Sequence, residues 1–185
     1  MRKIFFIMLV SVWIMPVMCI SQTFVPDTTV NGVLKVDNFV SIEKHLGDIM
    51  DKTDHNADLP DIYFTNKSST QYLRLIFFPG STRNCFHRFE IGVKALNKKY
   101  TVLSSFSSFR TESKICIGSS LSSVITKKGK GYKKNISGSI TVLSYEVSGL
   151  SRHPFLYRYN MPSYSAKYYF KKGRLFKMSY GFDYP

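Results

Sequence analysis

The chain has 185 residues, with 26 Lys and Arg against 12 Asp and Glu and a formal net charge of +14. This length supports one domain with an adequate core, and no long low-complexity linker divides the chain, which excludes an array of separate domains. Charge is divided unevenly: residues 22–61 carry eight acidic residues against three lysines, whereas residues 62–185 carry 21 Lys and Arg against four acidic residues. Such a balance suits adhesion to an anionic envelope, glycan or protein surface, or serves solubility alone.

The N-terminus has the pattern of a secretory signal peptide. Arg2 and Lys3 supply a positive start, an apolar run follows, and small residues precede a cleavage point before Gln22. Two alternatives stay open. The long apolar run also suits an uncleaved anchor, and Cys19 is a position for lipid attachment, although Met18 is larger than the residue usual before a lipid-bearing cysteine.

We therefore predict a signal peptide over residues 1–21 and a single exported domain over residues 22–185, located in the periplasm, outside the cell or on its surface. Cys85 and Cys116 remain in that domain. In an oxidising compartment an even pair indicates a disulfide, which stabilises by roughly 3–4 kcal/mol in the chain-entropy model. Two buried free thiols are the alternative. A nucleic-acid partner is not expected for an exported protein.

The first half of the domain reads as a short helix followed by strands. In VDNFVSIEKHLGDIM, Phe39, Ile42, Leu46 and Ile49 share one helical face, and Gly47 falls near the end of the pattern. The segments DIYFTN, QYLRLIFFPG and NCFHRFEIGV are then rich in aromatic and β-branched residues and are separated by turn signals. This order predicts a helix and a strand meander.

A partial calcium motif lies in the loop between the helix and the strands. Asp54, Asn56 and Asp58 match positions 1, 3 and 5 of a calcium loop. Leu59 replaces the glycine of position 6 and Thr65 replaces the glutamate of position 12, so the sharp turn and the bidentate ligand are missing. We predict a solvated loop and no metal.

The second half repeats the order. ICIGSSLSSVITKKGK places Leu121, Val124 and Ile125 on one helical face, and SITVLSYEV, SAKYYFKKG and RLFKMSYGF supply strands. The predicted fold class is therefore α+β. Two tandem helix-plus-antiparallel-strand units, about residues 33–97 and 98–185, would form one continuous sheet with the helices packed on one face.

The small and basic residues of the second helix have local structural causes. Ser119 or Ser120 is placed to cap the helix for about 1 kcal/mol. Two lysines in the last turn complement the helix dipole, and Gly129 or Gly131 can end the helix. A phosphate-binding loop needs Gly-Lys-Ser/Thr directly after its glycines, whereas these lysines lie at the far end, so we predict no nucleotide and no other cofactor.

These two units resemble a known repeat. The segment IGSSLSSVITKKGK followed by ITVLSYEV resembles the repeat shared by the β-lactamase inhibitor protein and the SmpA/OmlA group of outer-membrane assembly lipoproteins. The C-terminal segment YYFKKGRLFKMSYGFDYP is similar to the closing hairpin of many exported Bacteroidetes proteins of unknown function. The resemblance implies tandem helix-plus-sheet units and a non-catalytic role in binding a protein or holding an envelope assembly together. Gly118, Ser119 and Ser120 stand where that repeat has Gly-Met-Thr, and Asp37 and Asn38 replace the first entry glycine. No binding residue is therefore carried over.

Catalytic motifs are absent from the sequence. There is no G-x-S-x-G segment, and no cysteine-protease signature flanks either cysteine. The histidines have no metal-binding spacing and are His45, His55, His87 and His153. We predict no enzymatic activity and no small-molecule substrate; an unrecognised hydrolase remains the alternative.

Alternation along the last strands predicts a partner-binding face. Phe176 and Met178 should face the helices, and Leu175 and Lys177 should face the open side of the sheet. A second basic cluster surrounds Tyr132. The predicted partner-binding residues are Lys167, Tyr169, Lys171, Leu175, Lys177, Tyr132, Lys133 and Lys134.

Tyrosine beside lysine or arginine is typical of protein interfaces, because such residues dominate interface energetics. We therefore predict an exported, non-enzymatic protein that binds a protein or another envelope component through an open sheet face. Two alternatives stay open for this face: a mainly electrostatic contact with acidic glycan or lipid, and an ordinary solvated surface.

Overall fold

The structure is a computed structural model that describes residues 23–49, 60–78, 86–93, 101–102, 105–150 and 153–183. The predicted signal peptide, the acidic part of the calcium-like motif (Asp54, Asn56 and Asp58) and Cys85 lie outside these residues. Within the described ranges the strands are β1 (Thr29–Val30), β2 (Leu34–Lys35), β3 (Asp61–Thr65), β4 (Gln71–Phe77), β5 (Phe86–Val93), β6 (Thr101–Val102), β7 (Lys133–Ser137), β8 (Ile140–Ser148), β9 (Ser163–Lys171) and β10 (Arg174–Phe182). The helices are α1 (Phe39–Leu46), α2 (Leu121–Lys128) and α3 (Pro154–Tyr159).

One large sheet organises the molecule. Its strand order is β6-β3-β4-β5-β10-β9-β8-β7, while β1 and β2 form a separate two-stranded sheet. The strands from β3 to β7 in this order are antiparallel, and the two-residue β6 runs parallel to β3. Because β10, the last strand in the chain, pairs with both β5 and β9, it joins the first half of the sheet to the second.

The predicted fold class is wrong, because the protein is mostly β. The three helices contain eight, eight and six residues, whereas β8, β9 and β10 contain nine residues each. A balanced α+β fold of two helix-plus-strand units is therefore not what this chain forms. The helical patterns span only about two turns, too short to be stable without packing, and the aromatic and β-branched residues favour strands. No helix among the described residues is long and apolar enough to cross a membrane.

The two helices predicted from sequence do form, and their caps explain their limits. The Asn38 side chain accepts a hydrogen bond from the Ser41 amide at 2.8 Å at the start of α1. The Ser120 hydroxyl accepts one from the Ser123 amide at 3.1 Å at the start of α2, so Ser120 is the N-cap. Gly129, with φ of 83°, ends α2 as predicted, because a residue with positive φ breaks the helical path.

The turn before α2 is bonded to the sheet. The amides of Gly118 and Leu121 donate to the carbonyls of Leu175 and Gly173 at 2.8 and 3.1 Å. A phosphate-binding loop would present such amides to its ligand. Here the backbone at the β9–β10 hairpin accepts them, which anchors the start of α2.

The helices and the N-terminal segment, residues 23–30, cover one face of the large sheet, the covered face. The buried core takes its strand side chains from this face. Phe24 stacks on Tyr145 with ring centroids 4.6 Å apart. The hydroxyl of Tyr180 donates to the Thr29 carbonyl at 2.8 Å, so the N-terminal segment satisfies polar groups of the core as well as packing on it.

Lys128, the last residue of α2, is buried with a counter-ion. Its ammonium group lies 2.6 Å from an Asp27 carboxylate oxygen, and both side chains are 0% exposed. The same group donates to the Val25 carbonyl and the Ser113 hydroxyl at 2.8 and 2.9 Å. Burial lowers the pKa of Lys128, and the Asp27 carboxylate opposes that shift. The pair ties the N-terminal segment to α2.

Candidate functional site

The face of the large sheet opposite the core is called the open face. Directly paired residues of neighbouring strands point to the same side, so the strand register defines rows of side chains across this face. One row runs through Tyr63, Arg74, Glu90, Ser179, Lys167, Ser144 and Lys133. The next row runs through Thr65, Tyr72, Gly92, Lys177, Tyr169, Val142 and Asn135.

A β-bulge changes which side chains of β10 reach the open face. Its register against β9 shifts between Leu175 and Lys177. Leu175 is therefore buried, at 1% exposure, and its predicted place on the open face is wrong. Phe176, predicted to face the helices, instead lies half-buried beside Tyr169, with ring centroids 6.4 Å apart. A bulge inserts one residue, which reverses the alternation on one side of it.

The bulge creates a mixed aromatic and cationic surface, the β9–β10 patch, which consists of Val142, Tyr169, Lys171, Phe176 and Lys177. The Lys177 ammonium lies 4.6 Å from the centroid of the Tyr169 ring and 3.7 Å from a Glu90 carboxylate oxygen. Lys171 is exposed. As predicted, Tyr169, Lys171 and Lys177 lie on one face of the sheet.

The second predicted basic cluster is divided by the structure. Lys133 lies on the open face opposite Ser144, whereas its neighbour Lys134 has the opposite orientation in β7. Tyr132 packs against the core, with its ring edge-on to Tyr145 at 5.9 Å. Tyr132 and Lys134 therefore do not join the β9–β10 patch.

A third group on the open face, the paired cluster, was missed in the sequence. It consists of Asp61, Tyr63, Tyr72, Arg74 and Glu90. Arg74 lies 2.5 Å from Asp61 and 5.4 Å from the centroid of the Tyr63 ring, and Tyr72 donates to Glu90 at 2.7 Å. Burial raises the pKa of Tyr63 to about 12, so its hydroxyl stays protonated.

Two signals in the sequence pointed to this cluster. Arg74 is a charged residue in the apolar strand segment QYLRLIF, and a charge in a strand usually has a partner when it is partly buried. Gly92 is the second signal. A Cβ atom there would lie 2.6 Å from the Tyr72 ring, so only glycine lets that ring cross β5 toward Glu90.

A shallow groove, called the lysine groove, crosses β8 on the open face. Its volume is about 360 Å³. Lys133 and Lys167 flank it, while Ser144, Ser148 and Glu146 line it together with Ser165. The Lys133 ammonium is 3.9 Å from a Glu146 carboxylate oxygen, and these side chains are 89% and 59% exposed. Lys167 is exposed and makes no ion pair with any described residue.

Cysteine and histidine chemistry is limited in the described part of the chain. Cys116 is half-buried and forms no disulfide with any described residue, and its Sγ lies 3.7 Å from the Ser119 hydroxyl oxygen. Cys85 lies outside the described residues, so their disulfide stays a prediction. His87 is buried, with Nδ1 at 2.6 Å from the Phe182 carbonyl oxygen. No three His, Cys, Asp or Glu side chains in the described ranges are placed to hold a metal ion.

Comparison with known proteins identifies no relative of this chain. No family model matches this chain, and no curated protein and no solved structure shows significant similarity to it. A functional hypothesis therefore depends on the open face itself.

Proposed function

We propose that this protein is an exported, non-enzymatic binding protein whose β9–β10 patch contacts an acidic surface of a partner protein. The observation that carries the proposal is the bulge in β10. It turns Phe176 outward beside Tyr169, whose ring also lies against the Lys177 ammonium, and exposed Lys171 lies on the same face. Bulges are over-represented where a strand re-aims a side chain for function.

The composition of the patch supports a protein partner. Aromatic residues are enriched at protein interfaces and supply large contact areas with few rotatable bonds. The Tyr169 ring already contacts both Phe176 and Lys177, so binding would restrict these side chains little further. A preordered contact surface loses less conformational entropy on association.

The charge of the patch supports an acidic partner surface. Lys171 makes no ion pair with any described residue, and Lys177 shares Glu90 with the Tyr72 hydroxyl. The patch therefore presents more positive than negative charge. Complementary charge on the partner would speed association and fix its orientation.

Affinity capture from the envelope fraction of the native host tests the proposal. The immobilised protein and its Tyr169→Ala and Tyr157→Ala variants would be compared at about 150 mM salt, with the captured protein identified by mass spectrometry. Tyr157, which is 77% exposed on α3, provides a matched tyrosine away from the patch. We expect the wild type and Tyr157→Ala to bind equally, and Tyr169→Ala to bind roughly 30-fold more weakly.

Two results would contradict the proposal. Equal capture by all three proteins would show that the interface does not include Tyr169. A contact that disappears between about 50 and about 200 mM salt, and that needs no protein component of the envelope, would instead favour acidic glycan or lipid. Thermal unfolding of each variant would show that the substitutions leave the fold intact.

A further inference from the structure

We propose that the lysine groove is a separate binding site for an acidic saccharide, a sugar chain that carries carboxylate or sulfate groups. The groove lies beside the β9–β10 patch but uses the row that contains Lys133, Ser144 and Lys167. This inference goes beyond the proposed protein contact, because the groove and the patch can bind or fail to bind independently.

The strand register places two lysines on either side of one serine. Lys133 in β7 pairs with Ser144 in β8, and Ser144 pairs with Lys167 in β9. Neighbouring strands lie roughly 4.8 Å apart, so the Cα atoms of the two lysines are roughly 10 Å apart. Lysine side chains are long enough for both ammonium groups to reach one anionic group above Ser144.

Both lysines are available to a ligand. Lys167 has no counter-ion among the described residues, and the only ion pair of Lys133 within them is the 3.9 Å contact with Glu146. A solvent-exposed pair of this kind contributes little to stability, because water and salt screen it. An incoming anion therefore displaces little existing interaction.

The remaining lining of the groove distinguishes a saccharide from a simple anion. The hydroxyls of Ser144 and Ser148 make no hydrogen bond to the described part of the chain. Ser165 is different, because its hydroxyl is bonded to both Arg88 and Asp183 at 2.9 Å. Two available hydroxyls and the Glu146 carboxylate offer donors and acceptors to sugar hydroxyl groups.

Glu146 is the residue that decides between the two ligand types. An isolated phosphate, sulfate or carboxylate would be repelled by its negative charge. A sugar ring can place its acidic group toward Lys133 and Lys167 and donate a hydroxyl to Glu146, so that every charged group of the groove has a partner. The groove volume of about 360 Å³ lies at the lower end of the range for small-ligand sites, roughly 300–1,000 Å³.

Titration of the ¹⁵N-labelled protein by NMR tests this inference. The probes are tetragalacturonate, a chondroitin sulfate tetrasaccharide and, as the neutral control, maltotetraose. We expect either or both acidic tetrasaccharides to shift amides of Lys133, Ser144, Glu146 and Lys167, and maltotetraose to shift none. A response to only one of them would identify the acidic group that the groove prefers.

Variants make the test specific to the groove. Lys133→Ala and Lys167→Ala should each weaken binding at least fivefold. Lys44→Ala, at an exposed lysine of α1 outside both the groove and the β9–β10 patch, should change it less than twofold. Glu146→Ala should also weaken binding if the carboxylate accepts a sugar hydroxyl, whereas loss of a repulsive charge would strengthen the binding of a simple anion.

Several outcomes would overturn the inference: no shift with either acidic probe, equal losses for Lys44→Ala and Lys167→Ala, or tighter binding by Glu146→Ala. Equal shifts of the same amides by polyglutamate or by anionic phospholipid vesicles would also overturn it, because they would indicate a general anionic contact. Any of these results would leave capture of a protein by the β9–β10 patch unaffected, so failure here is distinguishable from failure of the proposed function.

Discussion

The two ends of the open face use positive charge in opposite ways. In the paired cluster, Arg74 is 25% exposed, lies 2.5 Å from Asp61 and packs over a tyrosine ring. In the lysine groove, Lys133 is 89% exposed, and its one described ion pair is 3.9 Å long. The net charge of +14 therefore combines two kinds of cation: some stabilise the sheet through close ion pairs, and others are available to ligands.

The covered face contains the extreme case of a structural cation, and Lys128→Met tests it with the largest expected effect. The substitution leaves the Asp27 carboxylate buried without its counter-ion, which should lower the free energy of unfolding by about 3–5 kcal/mol in urea denaturation. Lys127→Met, which removes one exposed hydrogen bond to the Lys114 carbonyl, should cost less than about 1 kcal/mol.

A double variant tests whether the loss of stability comes from leaving one charge of the Asp27–Lys128 pair without its partner. Asp27→Leu combined with Lys128→Met removes both charges, and we expect it to recover most of the lost stability, because a buried pair is dominated by the penalty of leaving one member alone. Single and double variants that all unfold like the wild type would show that Lys128 is not a structural cation.

Arg74→Ala tests the paired cluster, and we expect it to lower the stability less than Lys128→Met does. It removes the ion pair with Asp61 and the contact with Tyr63, and both members of the ion pair are mostly buried. We expect a loss of about 1–2 kcal/mol in the free energy of unfolding, measured by chemical denaturation. A loss below about 0.5 kcal/mol would make the cluster equivalent to an ordinary exposed surface.

Burial should also make the stability depend on pH, and the buried His87 near the start of β5 tests this. Burial lowers the pKa of His87, with a smaller contribution in the same direction from Arg88, while the bond to the Phe182 carbonyl and Asp183 oppose it. The unfolded chain therefore takes up this proton first as the pH falls. The neutral ring favours the folded state above about pH 6.5, and that contribution is lost below it.

The free energy of unfolding of the wild type should therefore fall between pH 7.5 and pH 5, measured by chemical denaturation at each pH. The His87→Gln variant should lack this part of the pH dependence although it is less stable at neutral pH. A wild type and a variant with parallel pH profiles would mean that His87 titrates alike in both states.

Lys167→Ala and Lys133→Ala should have the smallest effects on stability. Neither lysine has a close partner among the described residues, so each substitution should change the free energy of unfolding by less than about 0.5 kcal/mol. A loss as large as that of Arg74→Ala would show that the substituted lysine is a structural cation and is not simply available to a ligand.

Much of the local structure was predictable from short stretches of sequence. The spacing of Phe39, Ile42 and Leu46 predicted α1, and the serines near residue 120 predicted the cap of α2. The Lys172 and Gly173 turn between β9 and β10 was also readable, because both residues adopt positive φ in a two-residue hairpin turn. These features depend on residues within a few positions of one another.

The balance of the fold and the orientation of three of the eight predicted site residues could not be predicted in this way. Alternation alone placed Leu175 outside and Phe176 inside, and one inserted residue reversed both. The paired cluster joins residues of three strands, and its central residue, Arg74, carried no local sign of its partner Asp61. Such contacts depend on strand register, which is set by packing across the whole sheet.

Local sequence was enough to specify α1, α2, the cap of α2, the hairpin turn and the excess of positive charge, because each follows from neighbouring residues or from composition. The distinction between structural and available cations depends on tertiary contacts, because the burial of Lys128 and the alignment of Lys133 with Lys167 require segments distant in the chain to meet. The same sheet register placed Phe176 beside Tyr169 and so defined the proposed binding surface.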